Sequence, residues 1–173
     1  GNDYLDGGAG DDTQVGGAGN DQLGGDAGND VLMGGEGDDL YVYRTGSGQD
    51  FIKNSGGGTD WLIFTDDITQ DKLTYIRNGD DLVIGIDGTS NGVGIEDWFL
   101  GGEHTVDYIQ PAQAYGISAN QITVQAVTTD SIVDTQLQQL LQAMSVFSGS
   151  DAADMALLQE EEEQSSVIAV SGA

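Results

Sequence analysis

The residues best suited to chemistry in this sequence are aspartates that recur every nine positions. They stand at Asp3, Asp12, Asp21, Asp30 and Asp39, and a glycine lies two positions before each, at Gly1, Gly10, Gly19, Gly28 and Gly37. Four further glycines, Gly7, Gly16, Gly25 and Gly34, open the complete copies, and residues 7–15 read GGAGDDTQV. A flexible glycine linker has this composition but no fixed phase. The phase therefore predicts a folded repeat that presents its carboxylates at equivalent places.

Each copy of nine residues predicts one tight turn and one very short strand. Glycine is used where the backbone needs a positive φ or a close approach, so three glycines in four residues indicate a turn whose carbonyls point inward. The middle residue of the strand is usually apolar, as at Leu5, Leu23, Leu32 and Tyr41, although Gln14 breaks this rule and Asp26 replaces one glycine. A single copy buries almost nothing. Two copies should therefore close one turn of a flattened solenoid, and the turns must stack.

Stacked turns of this composition require a cation between them. From Asp3 to Asp39 the chain has ten acidic residues and no Lys or Arg. Ca²⁺ takes about six to eight oxygen ligands and mixes carboxylates with backbone carbonyls, whereas Mg²⁺ requires a tighter octahedron and sheds its waters reluctantly. Zn²⁺ favours Cys and His, and the chain has no Cys and one His. The sequence therefore predicts Ca²⁺, held by the repeated aspartates and by the glycine turns.

The repeats lose their strict period after residue 42 but continue in weaker form. Residues 46–52 and 56–62 place Gly, Asp and an apolar residue at the same mutual offsets, with Asp50 and Asp60 in the aspartate position. Taken in alternation, one side of the solenoid carries Asp3, Asp21, Asp39 and Asp60, and the other carries Asp12, Asp30 and Asp50. Neighbours on each side define three Ca²⁺ sites within the regular repeats and up to five in all. An ordinary hairpin turn is the alternative for Asp50 and for Asp60.

These nonapeptides resemble the repeats-in-toxin (RTX) family, whose calcium repeat reads G-G-x-G-x-D-x-U-x, where U is an apolar residue. Residues 7–12, 16–21 and 34–39 match that motif over the whole turn. The resemblance implies an all-β fold, namely a right-handed parallel β-roll with Ca²⁺ held between successive turns on each side. The stretches DDLYVYRTGSGQDFI, GGGTDWLIF and NGDDLVIGI also resemble the segment that commonly follows the last RTX repeats.

The residues after the repeats predict a β cap and a tail. Strand-like apolar runs occupy 61–64, 73–76, 82–86 and 93–95 and are separated by turn sequences. A solenoid must cover its open end with an atypical unit, and we expect Trp61 and Trp98 in the core of that cap. Apolar residues at helical spacing predict a helix over about 131–147, and a second short helix could follow from 151 to 163. We therefore divide the chain into a β-roll (1–45), a cap (46–110) and a short helical or disordered tail (111–173).

Charge and composition exclude several functions. The formal charge of −26 on 173 residues repels nucleic-acid phosphates and anionic membranes, and it opposes compaction of the metal-free chain. No run of residues is apolar and long enough to span a bilayer. The chain offers no cysteine nucleophile, and we expect its one histidine, His104, to be a surface or cap residue. The glycine turns lack the lysine of a phosphate-binding loop. We therefore expect no enzyme.

Two functions remain open. The RTX resemblance implies a calcium-folding module at the C-terminal end of a larger bacterial protein, such as a toxin, an adhesin or an exoenzyme. Such a protein leaves the cell unfolded through a type I secretion system, and the acidic, lysine-free end of the chain resembles the uncleaved signal of such substrates. The alternative is a module that itself binds a host-cell or carbohydrate ligand. Both place the protein outside the cell or at the cell surface.

Overall fold

The computed structural model of the chain describes residues 1–122 and 135–147, which are mostly β. The strands are β1 (Tyr4–Asp6), β2 (Thr13–Ala18), β3 (Gln22–Gly24), β4 (Val31–Glu36), β5 (Leu40–Tyr43), β6 (Gln49–Ile52), β7 (Trp61–Phe64), β8 (Leu73–Asn78), β9 (Asp81–Ile86), β10 (Gly92–Ile95), β11 (Tyr108–Gln110) and β12 (Ile117–Ser118). One α-helix, α1 (Thr135–Phe147), and four short 3-10 turns (Gln70–Lys72, Trp98–Leu100, Gly102–His104 and Ala119–Gln121) complete the described residues. The expectation of an all-β chain is thus confirmed at the level of class.

Residues 1–122 form two six-stranded sheets, and successive strands from β1 to β8 alternate between them. The first sheet has the order β1-β3-β5-β7-β11-β12, and all its pairs are parallel except β11 with β12. The second has the order β2-β4-β6-β10-β9-β8, and it becomes antiparallel from β10 onward. Each nonapeptide therefore supplies one strand and passes the chain to the opposite sheet. Both sheets are mixed, because the cap closes each with antiparallel strands.

The core lies between the sheets and consists of residues stacked in register. In the first sheet Leu5, Leu23, Tyr41, Leu62 and Ile109 follow one another across the strands. In the second sheet the corresponding column runs through Gln14, Leu32, Ile52, Ile95 and Leu82. Every member except Leu5 is buried. The predicted apolar position of each copy is therefore the inward position of each short strand.

The fourth-position glycines allow successive turns to touch through their backbones. Gly28 has a φ of +154°, and a Cβ there would collide with the carbonyl group of Gly10 in the preceding turn. The amide of Gly10 in turn donates a hydrogen bond to the carbonyl of Ala27 at 2.8 Å. A side chain at this place would push the turns apart, which explains why the position is always glycine.

The helix α1 packs against the second sheet. Leu140 and Met144 of α1 pack with Ile76 and Val83 on that sheet. A Cβ on Gly92 would lie 2.8 Å from a methyl carbon of Leu140, so the small residues of β10 make room for the helix. The helix α1 falls within the range predicted for it. The part of the predicted tail over 111–122 carries β12 and a 3-10 turn, and residues 123–134 and 148–173 lie outside the described residues. The proposed domain limits stay a prediction.

The two tryptophans do not share one environment. Trp98 is buried in the core, as expected. Trp61 is only half-buried, because the alternation of β7 turns Leu62 and Phe64 inward and sends Trp61 to the outer face. The expectation of Trp61 in the cap core was therefore wrong. None of the helices described here is long and apolar enough to cross a membrane.

The distribution of the core predicts that the cap supports the repeats. Residues 1–45 fully bury few large apolar side chains, whereas β6 to β11 contribute most of the core. Burial of one such side chain is worth about 1.5–3 kcal/mol. A chain cut after residue 45 should therefore stay disordered at millimolar Ca²⁺, as measured by circular dichroism. A chain of residues 1–147 is the control and should fold. Equal folding of the two would show that the cap contributes nothing.

Candidate calcium sites

The repeated aspartates form two columns, one along each edge of the stacked turns. In the first column the backbone N–H of Asp3 donates to Oδ1 of Asp21 at 2.7 Å, that of Asp21 donates to Asp39 at 2.9 Å, and that of Asp39 donates to Asp60 at 2.8 Å. In the second column the N–H of Asp12 donates to Asp30 at 2.8 Å, and that of Asp30 donates to Asp50 at 3.2 Å. The structure thus brings together the same sets that alternation along the sequence predicts.

The second oxygen of these carboxylates has no donor. Among the described residues, the Oδ2 atoms of five aspartates are buried without a hydrogen-bond partner, namely those of Asp12, Asp21, Asp30, Asp39 and Asp50. A buried carboxylate without a donor or a cation is strongly unfavourable. Burial of these oxygens therefore indicates a place for a positive charge between the turns.

The first-position glycines leave the space that such an ion needs. A Cβ on Gly7 would lie 2.8 Å from the carbonyl oxygen of Gly25 and 3.0 Å from Oδ2 of Asp12. A Cβ on Gly16 would meet Oδ2 of Asp21 and lie 2.7 Å from the carbonyl oxygen of Gly34. A carboxylate oxygen and a carbonyl oxygen of the next turn therefore line the same gap, and any side chain would fill it.

This donor set fits Ca²⁺. It consists of hard oxygen atoms from carboxylates and carbonyls, which is the set that Ca²⁺ prefers. Within residues 1–122 and 135–147 no three His, Cys, Asp or Glu side chains converge on one point. Carbonyls must therefore complete any coordination shell. Among the glycines predicted as ligands, Gly7, Gly16, Gly25 and Gly34 border these gaps, whereas Gly1, Gly10, Gly19, Gly28 and Gly37 lie where turns meet through their backbones.

Burial and mutual repulsion change the acidity of these carboxyl groups in the metal-free chain. Desolvation raises the pKa of Asp50 to about 8, and the nearby charge of Asp30 adds to the effect. The pKa values of Asp30, Asp39 and Asp60 are also raised, with burial as the first cause and neighbouring aspartates as a further one. Without a cation, the columns favour protonated carboxyl groups.

A second ladder of side chains was missed in the sequence. Position five is Asn or Asp in every copy, at Asn2, Asp11, Asn20, Asn29 and Asp38. The Oδ1 atom of each accepts a hydrogen bond from a backbone N–H one turn later, at 2.8–3.2 Å. In this ladder the N–H of the later turn donates to a side chain of the earlier turn. In the aspartate columns the N–H of the earlier turn donates to a side chain of the later turn. The invariant residue type at position five was the signal that could have revealed it.

Two further residues extend the first column into the cap. The carboxylate of Asp107 accepts a hydrogen bond from the backbone N–H of Asp60 at 2.9 Å. The side chain of Asn54 donates to Oδ2 of Asp60 at 2.7 Å. Neither residue stands at a repeat spacing, so the sequence offered no signal for them.

The two departures from the repeat pattern have local explanations. Gln14 takes an inward position in β2, where its side-chain amide donates to the carbonyl of Gly24 at 2.8 Å. Asp26 adopts a φ of 64° in place of glycine, and its carboxylate pairs with Arg44 at 2.7 Å. Both substitutions add polar contacts between turns.

Comparison with known proteins identifies the repeat. A family model described as the RTX calcium-binding nonapeptide repeat (4 copies) matches residues 1–23 and 15–41. Residues 1–41 are therefore RTX repeats, and repeats of this class imply calcium binding. The match covers less than half of the chain. A search of curated proteins found no match.

The column geometry predicts unequal roles for Asp21 and Asp3. Asp21 is buried, bonds to the turns on both sides and carries an unpartnered oxygen, whereas Asp3 is exposed at the end of its column. Asp21→Asn should lower the number of bound Ca²⁺ ions and destabilise the calcium-loaded chain by about 1–3 kcal/mol. Asp3→Asn is the matched control and should cost less. Equal losses in calcium stoichiometry and melting temperature would argue against this geometry.

The raised pKa values predict opposite pH dependence with and without Ca²⁺. A carboxyl group whose folded pKa is raised stabilises the fold below its unfolded pKa, and the contribution is lost as the pH rises through the folded value. For Asp50 that window runs from 3.8 to about 8. In chelator, the chain should therefore be less stable at pH 8 than at pH 5. With Ca²⁺ the order should reverse, because binding requires deprotonated carboxylates.

Circular dichroism in chelator at the two pH values measures this effect, because it reports the residual β structure of the metal-free chain at each pH. Asp50→Asn removes the titrating group and should reduce the pH dependence seen in chelator. A metal-free chain that gains stability between pH 5 and pH 8 would contradict the assignment.

Proposed function

We propose that this chain is a calcium-folded RTX module, built as a right-handed parallel β-roll with Ca²⁺ between its turns. The single observation that carries the proposal is the set of five buried aspartate Oδ2 atoms without a donor among the described residues. The regular repeats contain three pairs of neighbouring aspartates, and Asp50 and Asp60 raise the number of possible sites to five. The proposed role is to bind Ca²⁺ and fold, and not to catalyse a reaction.

Calcium is the proposed trigger of folding because the metal-free chain is heavily self-repelling. The formal charge is −26, and like charges of this number oppose a compact state. The chain has no cysteine and thus no disulfide. Metal ions that bind only the folded state stabilise it by mass action, so Ca²⁺ supplies the stabilisation that the repeats lack.

We further propose that the module belongs to an exported protein. A chain that needs Ca²⁺ to fold stays unfolded where Ca²⁺ is scarce, as in the cytosol, and folds where it is abundant, as outside the cell. The similarity of residues 1–41 to RTX repeats supports a type I secretion route for a larger extracellular protein. The acidic end of the chain is the proposed export signal.

A second candidate function is ligand binding through the outer face of the first sheet. The rings of Trp61 and Tyr108 stack there with centroids 4.4 Å apart and planes at 20°. Both side chains are half-buried, and they present an aromatic surface with a polar hydroxyl and indole N–H beside it. An adhesive or carbohydrate-binding role would use this pair. Retention on a carbohydrate array, lost in Trp61→Ala, would favour it.

Calcium titration followed by circular dichroism tests the first proposal. The full chain should change from disordered to β-rich as Ca²⁺ rises to the millimolar range, and Mg²⁺ at the same concentrations should not reproduce the change. An equally folded and equally stable chain in excess chelator would refute the proposal.

Export is tested separately with a chain that lacks residues 148–173. This chain should keep its calcium-dependent folding, because the deletion leaves the columns and α1 intact. It should not be secreted by a cell that carries a type I system, while the full chain should be. Unchanged secretion would remove the proposed signal from the tail without affecting the proposal of calcium binding.

A further inference from the structure

The outer face of the second sheet carries a row of mostly apolar residues that α1 covers only in part. In register across the strands, the row runs from Val31 through Phe51, Gly94 and Val83 to Ile76. The helix packs on the row from Phe51 onward, and Phe51, Val83 and Ile76 are at most 2% exposed. The covered part of the face therefore ends at β6.

The apolar surface continues beyond β6 over β4 and β2. Val31 and Met33 of β4 are half-buried, and Val15 of β2, the register partner of Met33, is 59% exposed. None of the three carries a charge, although the chain as a whole has a formal charge of −26. We call Val15, Val31 and Met33 the open stripe. It adjoins the surface that α1 buries, so it extends an interface that the chain already uses.

The position of α1 fixes where a neighbouring helix would lie. Leu140 and Met144 of α1 lie over Gly92 and Gly94 of β10, so the helix follows that strand. Packed helices have axes about 8–10 Å apart, whereas neighbouring strands are about 4.7–4.9 Å apart. A helix beside α1 therefore lies two strands away from β10. In one direction that strand is β4, which carries the open stripe. In the other it is β8, whose outward residues are polar or already covered by α1.

The chain supplies a suitable segment directly after α1. Residues 148–150 read SGS, and connections of this length join antiparallel helices. Residues 152–158 read AADMALL, in which Ala, Met and Leu are strong helix formers. Two of the apolar side chains, Met155 and Leu158, stand three positions apart, so they share one face of a helix. The sequence predicts a second short helix over 151–163, outside the described residues.

We infer that residues 152–158 dock on the open stripe, beside α1 and antiparallel to it. Met155 and Leu158 face the sheet, and the acidic run of residues 160–163 stays in solvent. The docked segment extends the layer that α1 begins and removes the open stripe from water, which is favourable for apolar surface. One consequence rests on the proposed export role: once the module has folded, part of its export signal is covered. The docking itself requires only a folded chain.

A disulfide between introduced cysteines tests the docking. The chain has no cysteine of its own, so Met33→Cys with Met155→Cys offers a single pair. In the full chain at saturating Ca²⁺, with oxidised glutathione as the oxidant, this pair should close within one molecule at least about tenfold faster than the control pair, because only matching geometry allows closure. The control is Val42→Cys with Met155→Cys, since Val42 is also half-buried but points outward from the first sheet.

Two outcomes of this experiment would overturn the inference. Equal rates for the two pairs would show that the segment has no preferred place on the module. A disulfide-linked dimer as the main product would show that a second copy of the chain occupies the open stripe.

Thermal stability gives an independent measurement. At saturating Ca²⁺ the full chain should melt about 2–4 °C higher than the chain of residues 1–147, as expected for a contribution of about 1 kcal/mol in a chain of this size. Met33→Asp puts a charge into the open stripe and should abolish this difference, whereas Val42→Asp should leave it. Equal melting temperatures of the two unmodified chains would also overturn the inference. A full chain that folds equally well in chelator would refute the proposed function, but the disulfide of the first pair should still form.

Discussion

Burial of one carboxylate oxygen in successive repeats is the constraint on which the rest of this structure depends. Each aspartate of the columns after Asp3 and Asp12 uses Oδ1 to accept a backbone N–H of the neighbouring turn, and this bond helps to fix its Oδ2 in the gap between turns. Desolvating such an oxygen without a positive partner costs several kcal/mol. The first-position glycine must lack a side chain so that a cation can reach this oxygen. The glycine and the aspartate of the motif are therefore two parts of one electrostatic requirement.

Apolar burial increases along the chain from the first repeats toward the cap. The inward column begins at the half-buried Leu5 and reaches fully buried side chains only from Leu23 onward. A second layer is added where Leu140 and Met144 of α1 cover β9 and β10 of the cap. The early turns therefore depend on charge neutralisation, whereas the later part is held by an ordinary core. A formal charge of −26 opposes folding. Charge neutralisation in the early turns and apolar packing in the later part both act against this repulsion.

The sequence was informative where a contact follows from the repeat period and uninformative where it does not. The alternation of copies between two edges predicts the pairing of Asp12 with Asp30 because each turn has a fixed length. The contact between Asp60 and Asp107 joins residues 47 positions apart, and Asn54 stands outside any repeat position. Trp61 was misplaced for a different reason, since its size suggested the core while the two-residue period of β7 decided its side. The repeated Asn or Asp at position five could be seen in the sequence. Its role became clear only from the hydrogen bonds of the structure.

The turns lengthen where the regular repeats end. Aspartates are 18 residues apart between Asp3 and Asp21, but 20 apart from Asp30 to Asp50 and 21 apart from Asp39 to Asp60. Longer turns move the loop away from the nonapeptide geometry and leave room for large polar side chains. Tyr41 and Tyr43 enter the core at this point, and both hydroxyls bond within the turns. The transition from repeat to cap therefore adds buried tyrosine hydroxyls to the contacts that join the turns.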